Sequence, residues 1–235
     1  MLPFRARKEQ PAAPLPGFKL AYPMVSADGT RAGFSGVTLG RSSIYGVTAD
    51  AECAQGAQHK SPSRWCDCGF YCLHDPDDAR ALSCDPDYRY TVMLEIEASG
   101  RFMRFERGLR YARQRITAVR VGFCGCGRPA TMLIKAGLVP PGWHRLSGTC
   151  AACTGHRPLV PFSEFARLLG GPAVTADDIT PLGWPVRTGD AAAAATSLDQ
   201  VDRDELVPVL YAEVALLQAR LDELQRQLAR LTSDQ

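Results

Sequence analysis

The sequence predicts an α+β protein, made of small antiparallel sheets around two clusters of Cys and His side chains, with a heptad-patterned helix near its C-terminal end. Three observations lead to this prediction. The cysteines and histidines come in compact groups, short apolar stretches with period-two alternation indicate strands, and residues 207–231 repeat Val or Leu every three or four positions. A length of 235 residues suits one elaborate domain, or two small ones plus a tail.

The composition is that of a folded protein without a strong electric field. Hydrophobic residues make up 46% of the chain, and 27 basic residues nearly balance 25 acidic ones. The N-terminus lacks the apolar core of a signal peptide, and no apolar run reaches the roughly 18 residues that a membrane span needs. The pairs of cysteines favour reduced thiolates over a secreted disulfide framework. We therefore expect a cytoplasmic protein without a membrane partner.

The chain divides by composition into six segments. Residues 1–17 are expected to be a disordered lead-in because four prolines interrupt any periodic element. A β-rich lobe with the first cluster follows at 18–115, a lobe with the second cluster at 116–160, a short helix and loop at 161–184, a linker at 185–203 and a coiled-coil helix at 204–235.

Strands are predicted on both sides of the arginine-rich part of the chain. Tyr90, Val92, Leu94 and Ile96 alternate with other residues, and Ser99-Gly100 is expected to turn the chain into a second strand near residue 102. Residues 116–123 form another strand candidate. In segment 161–184, Ser163-Glu164 begins a short apolar helix pattern that Gly170-Gly171 ends.

The first cluster has the spacing C-x5-H-x6-C-x-C, formed by Cys53, His59, Cys66 and Cys68. A set of three cysteines and one histidine is one that tetrahedral zinc accepts, and a closed set of four is structural rather than hydrolytic. Three neighbours, Cys72, His74 and Cys84, are alternatives for the fourth ligand.

The second cluster pairs C-x-C with C-x2-C, through Cys124, Cys126, Cys150 and Cys153. Thiolates on two tight turns, each following a strand, predict a zinc ribbon over residues 116–160. Four buried thiols without a metal ion are the alternative, and His144 and His156 are nearby substitutes for a cysteine. Together the clusters predict two structural Zn²⁺ ions per chain.

One stretch of the first cluster resembles a known motif. Residues 59–71, HKSPSRWCDCGFY, match H-x-x-P-x3-C-x-C-G-[IF]-Y, which occurs in uncharacterised proteins of actinobacteria and similar GC-rich bacteria. Those proteins also carry a cysteine shortly before the histidine and a segment similar to residues 97–108. The resemblance covers about residues 34–115. It implies that Cys53, His59, Cys66 and Cys68 are the ligands and that Cys72 is additional, and it implies no activity.

The C-terminal segment has the pattern of a leucine zipper. Its seam follows a 3,4 spacing through Val207, Leu210, Val214, Leu217, Leu221, Leu224, Leu228 and Leu231. Valine at a with leucine at d favours a parallel dimer, and about three and a half heptads is a marginal length for a coiled coil. The helix is expected either to join a second copy or a protein partner, or to dock on its own domain.

Three functions are compatible with these features. The leading hypothesis is a non-catalytic, zinc-stabilised interaction or adaptor module that acts through the C-terminal helix. The alternative is a nucleic-acid-binding regulator, since arginines and aromatic residues interleave in 101–120 at Arg101, Arg104, Arg107, Arg110, Arg113 and Arg115. The third is a cysteine-dependent enzyme that uses Cys72 with His74, or Cys84. No motif for a nucleophile, a phosphate-binding loop or a catalytic metal supports the enzyme.

Overall fold

The computed structural model describes residues 13–37, 43–53, 56, 58–84, 88, 90–139 and 141–177, all of which belong to one compact unit. They form a mostly antiparallel sheet with two short helices. The strands are β1 (Leu15–Ser26), β2 (Ala32–Ser35), β3 (Ile44–Tyr45), β4 (Thr48–Asp50), β5 (Phe70–Leu73), β6 (Val92–Arg104), β7 (Gly108–Val121), β8 (Met132–Val139), β9 (Trp143–Thr149), β10 (Leu159–Pro161) and β11 (Ala173–Ala176). The helices are α1 (Pro76–Ser83) and α2 (Phe162–Leu169).

Strand β1 connects two parts of the sheet. Its first half pairs with β6, in a register that places Lys19 opposite Leu94. Its second half pairs with β2 on one side and with β9 on the other. Strand β9 continues the sheet through β8 to β10. Because one strand serves both parts, the two halves of the described chain fold as one sheet system.

Strand β7 positions both Cys/His clusters. It pairs with β6 along its length, and its other edge meets β5, then β4, and then β11, which is the parallel neighbour. The first cluster lies in the loop between β4 and β5, beside the first half of β7. The second begins at Cys124, three residues beyond the end of β7.

A single large core cluster fills the space between these strands and α2. Its largest fully buried members come from both parts of the sheet and from the helix, including Phe34, Tyr111, Leu133, Leu146 and Phe165. The rings of Phe34 and Phe165 meet edge to face, with centroids 5.9 Å apart. A smaller cluster of Leu20, Ala79 and Met93 packs α1 against β1 and β6. Burial of this apolar surface is the main source of stability.

One lysine is buried beside this core. The Lys19 Nζ atom donates a hydrogen bond to Gln114 Oε1 at 3.2 Å and lies over the rings of Tyr45 and Phe70, 4.9 and 4.6 Å from their centroids. Tyr111 Oη donates to the same Gln114 oxygen at 2.9 Å. Burial lowers the pKa of Lys19 to about 7, although the thiol of Cys72 acts in the opposite direction. Removal of the ammonium from water therefore makes this lysine easy to deprotonate.

The predicted boundary between lobes at residues 115 and 116 falls inside β7. The strand continues across it because its pairing with β6 extends on both sides, from Arg104↔Leu109 to Met93↔Arg120. The segments 18–115 and 116–160 therefore share a strand and a core. Local composition gave no sign of this, since the pairing partners lie far apart in sequence.

Two predictions of where strands begin or end differ from the described structure. Strand β1 begins at Leu15, within the lead-in of residues 1–17 that was expected to be disordered. The strand includes Pro16, which lies opposite Glu97 of β6 although proline has no N–H to donate to a neighbouring strand. Strand β6 runs through Ser99-Gly100 without turning back. A register shift between Ser99 and Phe102 forms a β-bulge, which Gly100 accommodates with a φ of 74°.

Other predictions agree with the fold or lie outside it. The short helix in segment 161–184 is confirmed as α2, which ends at Gly170 in the left-handed conformation. No helix among the described residues is long and apolar enough to cross a membrane. The linker at 185–203 and the heptad helix at 204–235 lie outside the described residues, so they stay predictions.

Candidate metal centres

The first centre brings together the four side chains that the spacing predicted. Cys53 follows β4, His59 comes from the middle of the loop, and Cys66 and Cys68 precede β5. Their ligand atoms all lie within 4.8 Å of one another. The Cys53 and Cys66 sulfurs are 3.7 Å apart, and His59 Nε2 lies 3.1 Å from the Cys68 sulfur. The other nearby cysteines do not belong to this group, so the predicted choice of the fourth ligand is supported.

Two arginines hold the loop of the first centre on the sheet. Arg110 of β7 is only 5% exposed, and its two terminal nitrogens donate to the carbonyl oxygens of Cys66 at 2.8 Å and Ser63 at 2.9 Å. Arg101 of β6 donates to the carbonyl of Ser61 at 2.9 Å. Hydrogen bonds from a charged donor are stronger than neutral ones. The arginines therefore anchor the loop backbone at three points beside the metal ligands.

Gly69 lets the loop approach Arg110 closely. Its φ of 127° is one that other residues rarely adopt, and a Cβ atom there would lie 2.9 Å from Arg110 Cγ and 3.2 Å from Pro62 Cβ. Two local features therefore favour glycine directly after the C-x-C pair. It turns the chain from the ligands into β5, and it leaves room for the arginine stem.

The second centre is formed by two turns that follow strands. After β7, the Gly127 N–H donates to the Cys124 carbonyl, and Gly127 has a φ of 83°. After β9, a short 3-10 turn at Ala151–Cys153 lets the Cys153 N–H donate to the Cys150 carbonyl. The four sulfurs lie within 4.8 Å of one another, and those of Cys126 and Cys150 are 3.5 Å apart. This arrangement, a turn after each strand, is the one that the cysteine spacing predicted.

One sulfur–sulfur distance in each group is close to that of a tetrahedral thiolate site. With metal–sulfur bonds of about 2.3 Å, the edge of a regular tetrahedron between two sulfurs is about 3.8 Å. The observed separations of 3.5 and 3.7 Å lie within a few tenths of an ångström of that value. Each group supplies four protein ligands, so a tetrahedral ion held by either set would have no open position.

Backbone and sulfur hydrogen bonds shift the pKa values of two thiols in the second centre in opposite directions. Burial alone would raise the pKa of the Cys124 thiol, but the backbone N–H groups of Cys126 and Cys150 bond to it and lower its pKa to about 6. Hydrogen bonds with the other three sulfurs raise the pKa of Cys153 to about 12. Donation of backbone N–H groups to one sulfur favours the thiolate, which is the form that binds metal ions.

The arginines predicted to bind nucleic acid are mostly engaged within the chain. Arg110 is buried under the first centre and Arg101 holds Ser61. The others make cross-strand or loop contacts: Arg107 with Asp78, Arg113 with Asp50 at 2.6 Å, Arg115 with Glu97 at 3.7 Å, and Arg104 over its neighbour Phe102. This segment therefore does not present its arginines as one free basic surface, because alternate residues of β6 and β7 face opposite sides.

The cysteine and histidine considered for catalysis have other environments. Cys72 is buried, and its burial raises the pKa of its thiol to about 11, despite the nearby Lys19. His74 Nε2 lies 3.3 Å from the carbonyl oxygen of Phe105. Burial also raises the pKa of Cys84. A nucleophilic cysteine needs a lowered pKa and access to substrate, so these residues do not support a cysteine-dependent enzyme.

Sequence reasoning missed three features of this region. It assigned Arg101 and Arg110 to a ligand rather than to the loop, and it gave no role to Trp65 or Lys19. Trp65 is 95% exposed on the turn between Ser63 and Cys66. The available signal was a tryptophan directly before Cys66, because the backbone of that residue is held in place by the candidate metal ligand beside it.

Comparison with known proteins adds no assignment. No protein-family model, no curated protein and no solved structure matches the chain.

Proposed function

We propose that this protein is a non-catalytic, zinc-stabilised module that binds a macromolecular partner. The observation that carries the proposal is the pair of closed four-ligand groups, one of three cysteines with a histidine and one of four cysteines, on a single antiparallel sheet system. A closed site contributes folding energy and fixes the loops that carry its ligands. Such loops suit the presentation of a binding surface.

Zinc is the metal ion that these ligands favour. Thiolate sulfur and imidazole nitrogen in tetrahedral sets of four are typical of structural zinc sites, whereas calcium and magnesium take oxygen ligands. Iron–sulfur clusters also use cysteine thiolates, and their spectra distinguish them from colourless zinc. The first group, with its half-buried His59, fits a single zinc ion, and we assign one Zn²⁺ to each group.

The C-terminal helix is the proposed means of assembly. Its seam of Val and Leu, from Val207 to Leu231, would pair two copies in parallel or would dock one partner helix. In this proposal, metal binding by the described domain does not require the C-terminal helix. Dimerisation is therefore tested separately from metal binding.

Native mass spectrometry of the full chain, purified without chelator, tests both points. We expect two zinc ions per chain and a dimer that Leu217→Pro dissociates at unchanged zinc content. Cys66→Ser should lose the first ion alone, and Cys150→Ser the second alone. Cys84→Ser is the matched control, since this thiol bonds to the Arg80 carbonyl at 3.4 Å and lies outside both groups.

The outcomes separate the parts of the proposal. Fewer than two ions in the wild type, or equal metal loss from Cys84→Ser, would contradict the two-zinc assignment. A wild-type monomer with two ions would contradict dimerisation through the helix and leave the metal centres intact. Turnover of a substrate that depends on either centre would contradict the non-catalytic part.

A further inference from the structure

We infer that the turn around Trp65, together with a cleft formed by an earlier part of the same loop, binds single-stranded nucleic acid, with a base stacked on the indole and a phosphate in the cleft. This inference rests on the proposed function, since it names the partner of the zinc-stabilised module. It places the contact on the loop of the first centre. The arginine-rich strands that the sequence suggested serve instead as the support of that loop.

Trp65 does not pack into the folded domain, so its position is not explained by a role in the core. Its side chain is 95% exposed, while the remainder of the turn is tied down. Ser63 and Cys66 form an antiparallel bridge across the turn, and the Trp65 N–H points to Ser63 Oγ at 3.4 Å. A large apolar ring left in water gains free energy when a partner covers it. Such exposure leaves the indole available for stacking.

The turn is fixed before a partner arrives. The residues on either side of Arg64-Trp65 are Ser63 and Cys66, and the carbonyls of both accept hydrogen bonds from the buried Arg110. Cys66 is also a ligand of the first centre. A rigid aromatic side chain loses little conformational freedom on binding, so contacts made by it are efficient.

An open cleft of about 540 Å³ lies on the same loop, and Lys60, Ser61 and Arg101 contribute to its wall. Ser61 is 9% exposed, and its Oγ atom has no hydrogen-bond partner among the described residues. A buried hydroxyl without a partner costs free energy, which a ligand that supplies an acceptor would recover. Lys60 and Arg101 offer cationic groups to an anionic oxygen there, although Asp50, Glu52 and the first-centre side chains Cys53 and His59 also line the cleft.

The charges around the turn balance one another, so electrostatics alone does not select an anionic ligand. Lys60, Arg64 and Arg101 are cationic, whereas Glu52 and Asp67 are acids on the same loop. Asp50, which lines the cleft with Glu52, is already paired with Arg113 of β7. A zinc ion with three thiolates adds one further negative charge. Stacking on the indole must therefore supply much of the affinity.

Single-stranded nucleic acid matches both elements at once. Each nucleotide offers a flat aromatic face and a phosphate, and unpaired strands leave that face free. Ser61 and Trp65 are four positions apart in the chain, so their Cα atoms are at most about 14 Å apart, within the span of a few nucleotides. A protein with a pocket for tryptophan would use the indole but would leave the cleft and the Ser61 hydroxyl unexplained.

Fluorescence anisotropy of fluorescein-labelled dT15 with the full-length zinc-loaded protein tests the inference. Trp65→Ala should weaken binding about tenfold, the loss typical of one stacked base. Phe105→Ala is the matched control, because this ring is also exposed but lies on the β6–β7 turn. Arg64→Glu should weaken binding as well, while Arg128→Glu, beside the second centre, should not. A fourfold rise in salt should weaken wild-type binding on the order of tenfold, as expected for two or three phosphate contacts.

The zinc content of every sample is measured with the binding. A two-zinc wild type that does not bind dT15, or that binds it equally well as Trp65→Ala, would overturn the inference and leave the proposed function standing. Equal binding of a 15-base-pair duplex by both proteins would also overturn it, since that indicates electrostatic contact alone. A chain with fewer than two zinc ions contradicts the proposed function, while a Trp65-dependent affinity would still support this surface.

Discussion

Replacement of Arg110 by methionine should undock the loop that carries the first metal centre. Methionine keeps an unbranched apolar stem against the sheet but removes the two hydrogen bonds that hold the loop backbone, to the carbonyls of Cys66 and Ser63. The guanidinium contacts with Tyr71 Oη, the Met103 sulfur and the Asp67 carboxylate are lost with them. Those carbonyls face a guanidinium that is nearly inaccessible to water, at 5% exposure. The two groups would therefore lose their partners without a ready replacement.

The magnitude follows from the two bonds. A hydrogen bond from a charged donor contributes about 1.5–3 kcal/mol, and part of the sum is offset because the guanidinium no longer has to be buried. We expect a net loss of about 3 kcal/mol in the docking of the loop, or roughly a 150-fold change in its equilibrium constant. Arg110→Lys should lose less, since an ammonium group can reach one of the two carbonyls but lacks the planar fork.

Chelator competition measures this loss at the metal centre. In the wild type the two zinc ions should leave at similar chelator concentrations, whereas in Arg110→Met one ion should leave at a concentration about 100-fold lower. Hydrogen exchange should increase over residues 58–68 in the same variant. The matched control is Arg115→Met on the same strand, whose pair with Glu97 spans 3.7 Å between exposed side chains and should contribute less than about 1 kcal/mol.

Equal metal retention by the Arg110 and Arg115 variants would refute the reasoning. It would mean that the metal ion alone orders the loop and that the arginine bonds add nothing to it. A graded series, with Arg110→Lys between the wild type and Arg110→Met, is the result that the carbonyl contacts require.

Two further predictions concern the core. Because burial lowers the pKa of Lys19 from 10.5 to about 7, the unfolded chain holds a proton between those pH values that the folded chain lacks. Stability should therefore rise with pH by about 1.4 kcal/mol per unit between about pH 7.5 and 9, relative to Lys19→Met, in urea titrations; parallel curves for the two proteins would contradict it. Gly108→Ala should cost more than about 3 kcal/mol by the same assay, since its Cβ would overlap the Cys72 carbonyl oxygen, whereas Gly46→Ala, in open space, should be tolerated.

The candidate centres were largely predictable because metal-ligand spacing is a local property. A C-x-C or C-x2-C pair on a turn places two sulfurs on one side of the backbone whatever the rest of the chain does. The structure agrees that both pairs of the second group follow strands, and it shows that Cys53 and His59 join the first group from a loop. The fourth ligand of the first group was left open by spacing alone, and the fold places it as Cys53 rather than as Cys72 or Cys84.

The arginine-rich strands show contacts that sequence reasoning did not foresee. Arginine beside aromatic residues suggested a nucleic-acid surface, yet the same pattern describes a strand that pairs its charges across a sheet. Arg113 of β7 pairs with Asp50 of β4, and Arg107, on the turn before β7, pairs with Asp78 of α1. In both pairs the fold brings together elements that are distant in sequence. No local pattern records which acid will lie opposite which arginine.

By itself, the sequence indicated the two Cys/His groups, the mostly antiparallel strand character and the short helix α2, because each depends on local residue patterns. Tertiary structure alone decided that β7 unites the two expected lobes, that Arg110 and Arg101 support the first centre, and that Lys19 is buried. It also left Trp65 in solvent on an otherwise anchored turn. These outcomes depend on contacts between residues tens of positions apart, which pairing and burial select together.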